Sequence, residues 1–252
     1  MTALTIAARE LRSLFLSPLA WVLLAVTLGI LAFMFSSQVD FFLQIQSRLS
    51  GMPDAPGVTE VIVVPLFANA AFVLLLIIPL VTMRLVSDEL RNGTLSLLFS
   101  APVSMTQIVL GKYLGILAFI AILLLLITLM PLSLLMAGTL DIGIVLSGLL
   151  GLFLLVASFA AVGLFMSTLT SQPVIAAVGT FGILLLLWII DWSSNVAGGG
   201  GSEVLAYLSI LRHFEPLLRG AVSSTDVIYY LLVIATFLVL SIRRLDSFRL
   251  QH

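Results

Sequence analysis

The chain has 252 residues, 61% of them hydrophobic and 9% charged, a formal net charge of -1 and a mean hydropathy of +1.27. Average proteins carry about 25% charged residues, so an ordinary soluble domain is excluded, and the near-neutral balance points to no nucleic acid. The absence of cysteine rules out a disulfide framework, thiolate chemistry and a Cys-based metal site.

Met1 to Leu16, with Arg9, Glu10 and Arg12, reads as an amphipathic segment suited to lie on a membrane surface. No small-residue cleavage site closes a short apolar region after it, so the first apolar helix is expected to be retained. Pro18 suits the first turn of a helix, and Pro18 to Ser37 supplies the first span. From Gln38 to Glu60 the chain turns polar, with Gly51, Pro53, Pro56 and Gly57, and an extramembrane loop is expected. Val61 to Arg84 forms the second span, bent at Pro65 and Pro79, with Asn69 its one strongly polar interior residue.

Between this span and the next lies Ser87 to Lys112, which gathers several of the few charges. Asp88, Glu89 and Arg91 precede the turn-favouring pair Asn92-Gly93, and Thr94 can cap a short helix. Leu95, Leu98 and Phe99 fall on one face of that helix, and Pro102 ends it. Ser104 and Gln107 have the S-x-x-Q spacing of a capping box for the third span, which runs from Gln107 to about Met136.

Ile142 to Thr168 is the fourth span, with Gly143, Ser147 and Gly151 at intervals that let helix backbones approach closely in lipid. The fifth runs from Pro173 to Ile190, and Asp191 and Trp192 mark its edge. Gly198 to Gly201 read as a flexible linker, followed from Ser202 to Leu218 by an apolar-rich helix too short to span. Here Glu215 and Arg219 have the favourable i, i+4 spacing. Thr225-Asp226 can cap the sixth and last span, Val227 to Ile242. With both termini on one side, that side receives Arg9, Arg12, Arg84, Arg91, Lys112, Arg243, Arg244 and Arg249, against Arg48, Arg212 and Arg219 on the other. By the positive-inside rule the termini and the Ser87 to Lys112 stretch are cytoplasmic.

Two stretches resemble a known family. Glu89 to Ser104, ELRNGTLSLLFSAPVS, followed by Gly111-Lys112, is similar to the signature of ABC-2 type transporter permeases. Arg212-His-Phe-Glu-Pro-Leu-Leu-Arg-Gly220 and then Asp226-Val-Ile-Tyr-Tyr230 resembles the segment before the final helix in the gliding-motility-type branch of that family. The resemblance implies an all-α membrane protein forming a single permease domain: six transmembrane helices, an interfacial helix over 1–16, a cytoplasmic coupling segment over 87–105, and an outer re-entrant segment over 192–224. It implies that Asp88, Glu89, Arg91, Gly93, Thr94, Leu95, Leu98, Phe99 and Pro102 serve ATPase coupling, with the apolar members filling a groove on the ATPase. His213, Phe214, Glu215, Arg219 and Gly220 would form an outer re-entrant gate. It further implies two copies of a cytoplasmic ABC ATPase that hold the ATP and Mg, a second permease copy, an auxiliary membrane or periplasmic subunit, and contact with membrane lipid in the bacterial inner membrane. The four glycines before the outer segment depart from the family pattern.

What is missing agrees. The only lysine, Lys112, is followed by Tyr113, so no P-loop is present and the chain is not expected to hydrolyse ATP. Its two histidines, His213 and His252, make no H-E-x-x-H site and no Ser-His pair within the membrane. No carboxylate sits in mid-span to carry an ion. These readings converge on an ATPase-driven exporter, the alternative being a mechanical or assembly scaffold that acts on a periplasmic partner without moving cargo.

Overall fold

The computed structural model describes residues 3–49, 57–94, 104–136, 140–196 and 207–249. Nine α-helices occupy them: α1 (Ala3–Leu16), α2 (Pro18–Leu49), α3 (Val64–Thr82), α4 (Ser87–Arg91), α5 (Met105–Ser133), α6 (Ile142–Leu169), α7 (Pro173–Val196), α8 (Ile210–Leu218) and α9 (Ser224–Arg249). No strand occurs among the described residues, and six of the helices are long and apolar enough to cross a membrane. The six spans expected from hydropathy are therefore present.

α6 forms the axis of the bundle, touching α3, α5, α7, α8 and α9. Its Leu152, Leu155, Val156 and Phe159 are fully enclosed, together with Phe67, Leu74 and Ile78 of α3 and Ile116 and Ile120 of α5. In lipid such packing rests on close van der Waals contact rather than on release of water, which favours small residues where backbones meet. α2, α7 and α9 are peripheral, and they present exposed apolar side chains such as Phe33, Val178 and Leu232.

Two expectations about the outer loops are corrected. Gln38 to Leu49 is not a loop, because α2 continues unbroken to Leu49. Phe41, Phe42, Leu43 and Ile45 lie in this stretch and no Gly or Pro intervenes before Gly51, so nothing breaks the backbone ladder. The last helix starts at Ser224, and the hydroxyl that accepts a backbone bond there is that of Ser223, from the Thr225 amide at 3.3 Å. Asp226 is thereby left for another partner. Pro65 directly follows a π-helical turn over Thr59–Val63 that runs without a break into α3.

The capping box forms as expected. Ser104 Oγ accepts from the Gln107 amide and Gln107 Oε1 from the Ser104 amide, both at 3.3 Å. At the opposite end Asp141 caps α6 through the Gly143 and Ile144 amides, and its own amide donates to Thr59 Oγ1 at 2.9 Å.

Candidate functional site

At the end of the bundle that holds the chain's N-terminus, α1 lies directly on the first turns of α5. Gly111 and Gly115 make this possible. A Cβ at Gly111 would stand 2.7 Å from Ile6 Cβ and 2.9 Å from the Ala3 carbonyl, and one at Gly115 would stand 2.8 Å from Glu10 Cβ. Two small residues four apart let the backbones touch, which carries Glu10 to the side chain between them in sequence, Lys112.

Lys112 is 1% exposed, the deepest charge in the described structure. Its Nζ donates to Glu10 Oε1 at 2.9 Å, to Glu89 Oε1 at 2.7 Å and to the Leu85 carbonyl at 2.7 Å. An ammonium has three protons to give, and all three are placed. Arg9 adds contacts of 3.3 Å to Glu10 Oε1 and 3.7 Å to Glu89 Oε1 from a half-exposed position. Two cations thus face two carboxylates, drawing α1, the turn after α3, α4 and α5 to one point.

α4 is held from its other side by α6. Ser167 Oγ accepts from the Val86 and Ser87 amides at 2.9 and 3.0 Å and lies 3.0 Å from the Met83 carbonyl, while the Ser87 hydroxyl donates to the Ser167 carbonyl at 3.0 Å. The helix then stops in a Schellman turn: Thr94 N–H bonds the Glu89 carbonyl, Gly93 N–H bonds the Leu90 carbonyl, and Gly93 takes φ +67°. Glu89 is consequently fixed at both backbone and side chain. Asp88 is half-buried, whereas Arg91 points to solvent. Thr94 closes the turn on α4, and the helix expected after it, with Leu95, Leu98, Phe99 and Pro102, lies outside the described residues.

At the far end α8 is folded back onto α6. Ser147 Oγ donates to the Leu217 carbonyl at 2.7 Å, and a Cβ at Gly151 would meet Leu217 Cβ at 2.8 Å. Two members of the expected small-residue stripe thus seat this short helix, while Gly143 takes part in the Asp141 cap.

His213 and Phe214 face inward, both buried. His213 Nδ1 lies 2.7 Å from Asp226 Oδ1, Nε2 lies 3.1 Å from the Tyr207 carbonyl, and the ring stacks on Tyr229 with centroids 4.0 Å apart. The Tyr229 and Tyr230 hydroxyls donate to the Leu208 and Ile210 carbonyls at 2.7 and 2.9 Å. Glu215 and Arg219 are exposed and form no ion pair with each other, contrary to their i, i+4 spacing. Arg219 instead ends α8 beside Gly220 and lines a crevice with Glu60 and Ile144. Among the described residues no three His, Asp or Glu side chains converge as a metal site.

The architecture thus combines six apolar helices, a short charged helix locked to the end of the bundle that holds the chain's N-terminus, and a folded-back helix at the other end. A family model described as ABC-2 family transporter protein matches residues 4–247. The chain belongs to the ABC-2 transporter family. It is a membrane permease subunit of an ABC transporter and not itself the ATPase, and membership implies an ABC ATPase as partner. No curated protein matches the chain.

The coupling residues expected from the sequence of this permease include Glu89 but not Glu10, Lys112 or Ser167, and the expected outer gate does not include Asp226. Lys112 carried the clearest signal: it is the only lysine, set between Gly111 and Gly115. Ser167 lies 80 residues from Ser87, and nothing in the chain's periodicity joins them.

Proposed function

We propose that this permease is half of a bacterial exporter in the inner membrane, with both termini and the 87–105 segment in the cytoplasm. Two copies pair with each other and with two ATPase subunits, which hold the ATP and Mg. The observation that carries this reading is the Lys112 cluster. It joins α4, the first part of the coupling segment, to α1 and α5 by buried charge, so a push on α4 is transmitted rather than absorbed. Buried ion pairs of this sort are costly to break one partner at a time.

Because α6 fills the centre of each protomer, cargo would travel between copies, with ATP binding shifting the pair between two arrangements that the ATPase contacts differently. α8 and its His213-Asp226 pair would close the periplasmic end, and an auxiliary envelope subunit would dock there. Substrate-stimulated ATPase activity in liposomes separates export from a mechanical scaffold.

The direct test is Phe99→Asp. Co-purification of the ATPase from solubilised membranes should be lost while the permease remains inserted; an intact complex would place the docking surface elsewhere.

A further inference from the structure

We infer that Asn69 of α3 hydrogen-bonds Asn69 of a second copy of this chain inside the apolar layer. The inference rests on the pairing of two permease copies proposed above, and it names the face by which they meet.

α3 is wrapped by α2, α6 and α7. Its Leu66, Leu74, Leu75 and Ile78 are fully enclosed, and one stripe is left open: Asn69, Phe72, Leu76 and Leu80, at i, i+3, i+7 and i+11. Phe72 is steadied by the edge of Trp188 on α7, with ring centroids 6.2 Å apart. Asn69 is far from either end of the span. Along the helix it lies about 13 Å from Glu60 and about 22 Å from Arg84, the charges that bound this apolar run.

The hydroxyls of Thr27, Thr82, Thr128, Ser158 and Thr180 each turn back to a carbonyl of their own helix. Asn69 does not: partly exposed, its amide has no hydrogen-bond partner among the described residues. Lipid tails offer neither donor nor acceptor, so an amide at this depth needs a partner from protein. The exposed apolar side chains of α2, α7 and α9, such as Phe33, Val178 and Leu232, make no such demand, because lipid is as apolar as they are.

The chemistry of the group selects the partner. An amide carries acceptor and donors together, so two amides can satisfy each other. Copies related by a twofold axis along the membrane normal hold Asn69 at one depth, and an isologous contact sets a residue near that axis against itself. An unrelated helix would have to present a polar group at this one level; a second copy does so by symmetry. Phe72, Leu76 and Leu80 continue the same contact toward the cytoplasm with apolar surface.

The chain has no cysteine, so single replacements report symmetric contacts without background. In native membranes with the ATPase present, Asn69→Cys should form a disulfide-linked dimer under mild oxidation, a bond that needs Cα atoms within about 7 Å. Thr236→Cys, exposed in the middle of α9, should not. Linkage at 236 but not at 69 would move the contact to α9 and overturn the assignment. Rapid reaction of Asn69→Cys with a water-soluble maleimide, without linkage, would place residue 69 on a water-filled path and overturn it too.

Single-molecule counting of the full chain in bilayers gives the monomer–dimer balance. Asn69→Leu should weaken pairing by roughly tenfold, the factor for one interhelical amide contact, and Asn69→Gln should restore most of it. Thermal unfolding of the monomer should not be lowered by Asn69→Leu, because the amide bonds nothing in its own protomer; a lowered midpoint would make Asn69 a structural residue and overturn the inference. Pairing of Asn69→Leu as tight as that of the unaltered chain would overturn it while leaving two copies in place. A chain that stays monomeric even with the ATPase would sink both.

Discussion

Lys112 Nζ and Glu89 Oε1 are 2.7 Å apart although 23 residues separate them, and the pair lies where α4 meets α5. Glu89 is on α4, the helix that opens the proposed coupling segment; Lys112 is on the first turns of a span. The ion pair is therefore a joint between the part of the permease an ATPase would touch and the part that would move.

Removing the ammonium should be the most damaging single change at this joint. Lys112→Met leaves Glu10 and Glu89 with only the half-exposed Arg9 as a cation, and a loss of about 3–5 kcal/mol is expected. Glu10→Gln should cost less, because Lys112 keeps Glu89 and the Leu85 carbonyl. Thermal unfolding of the purified variants in detergent would rank them. Equal effects would mean that Lys112 does not organise the cluster.

The contact of α1 with α5 depends on missing side chains. Gly111→Leu would drive a side chain into Ile6 and the Ala3 carbonyl and should release α1. The chain has no cysteine, so Ile6→Cys can be labelled without background. Maleimide should react slowly at this buried position and several-fold faster once Gly111→Leu is added. Unchanged labelling would show that α1 adapts in place.

Ser167→Ala removes the acceptor for two buried amides, those of Val86 and Ser87. Unmet buried donors cost about 1–3 kcal/mol each, so α4 should loosen from α6. Hydrogen exchange in residues 86–91 should accelerate in the variant. Normal membrane insertion accompanied by weaker ATPase capture would connect this clamp to coupling.

At the other end both nitrogens of His213 face acceptors. The Nδ1–H tautomer donates to Asp226, and only the doubly protonated ring donates to the Tyr207 carbonyl as well. Asp226→Leu leaves the buried Nδ1–H without an acceptor and should destabilise α8 by about 1–3 kcal/mol. Asp226→Asn, which can still accept from Nδ1, should be milder. Protease sensitivity of the segment around α8 reports both, and identical sensitivity would show that the pair does not hold this helix.

The number, order and type of the spans were legible in the chain itself, because a run of about 20 apolar residues is a local quantity that no neighbour needs to confirm. The same is true of the S-x-x-Q box at Ser104, whose two bonds join residues three apart, and of the turn at Asn92-Gly93. The limits of α2 are less legible, because polar residues and distant glycines and prolines suggest a loop where the backbone ladder continues.

The site was different. That Lys112 meets Glu10, that Ser167 clamps Ser87, and that Asp226 holds His213 instead of capping its own helix depend on which helix faces meet. Hydropathy is nearly uniform around these spans, so it carries little directional information about those faces. Only the close approach at Gly111 and Gly115 and the packing around α6 decided them, since a buried charge must find its partner wherever the backbones come close enough.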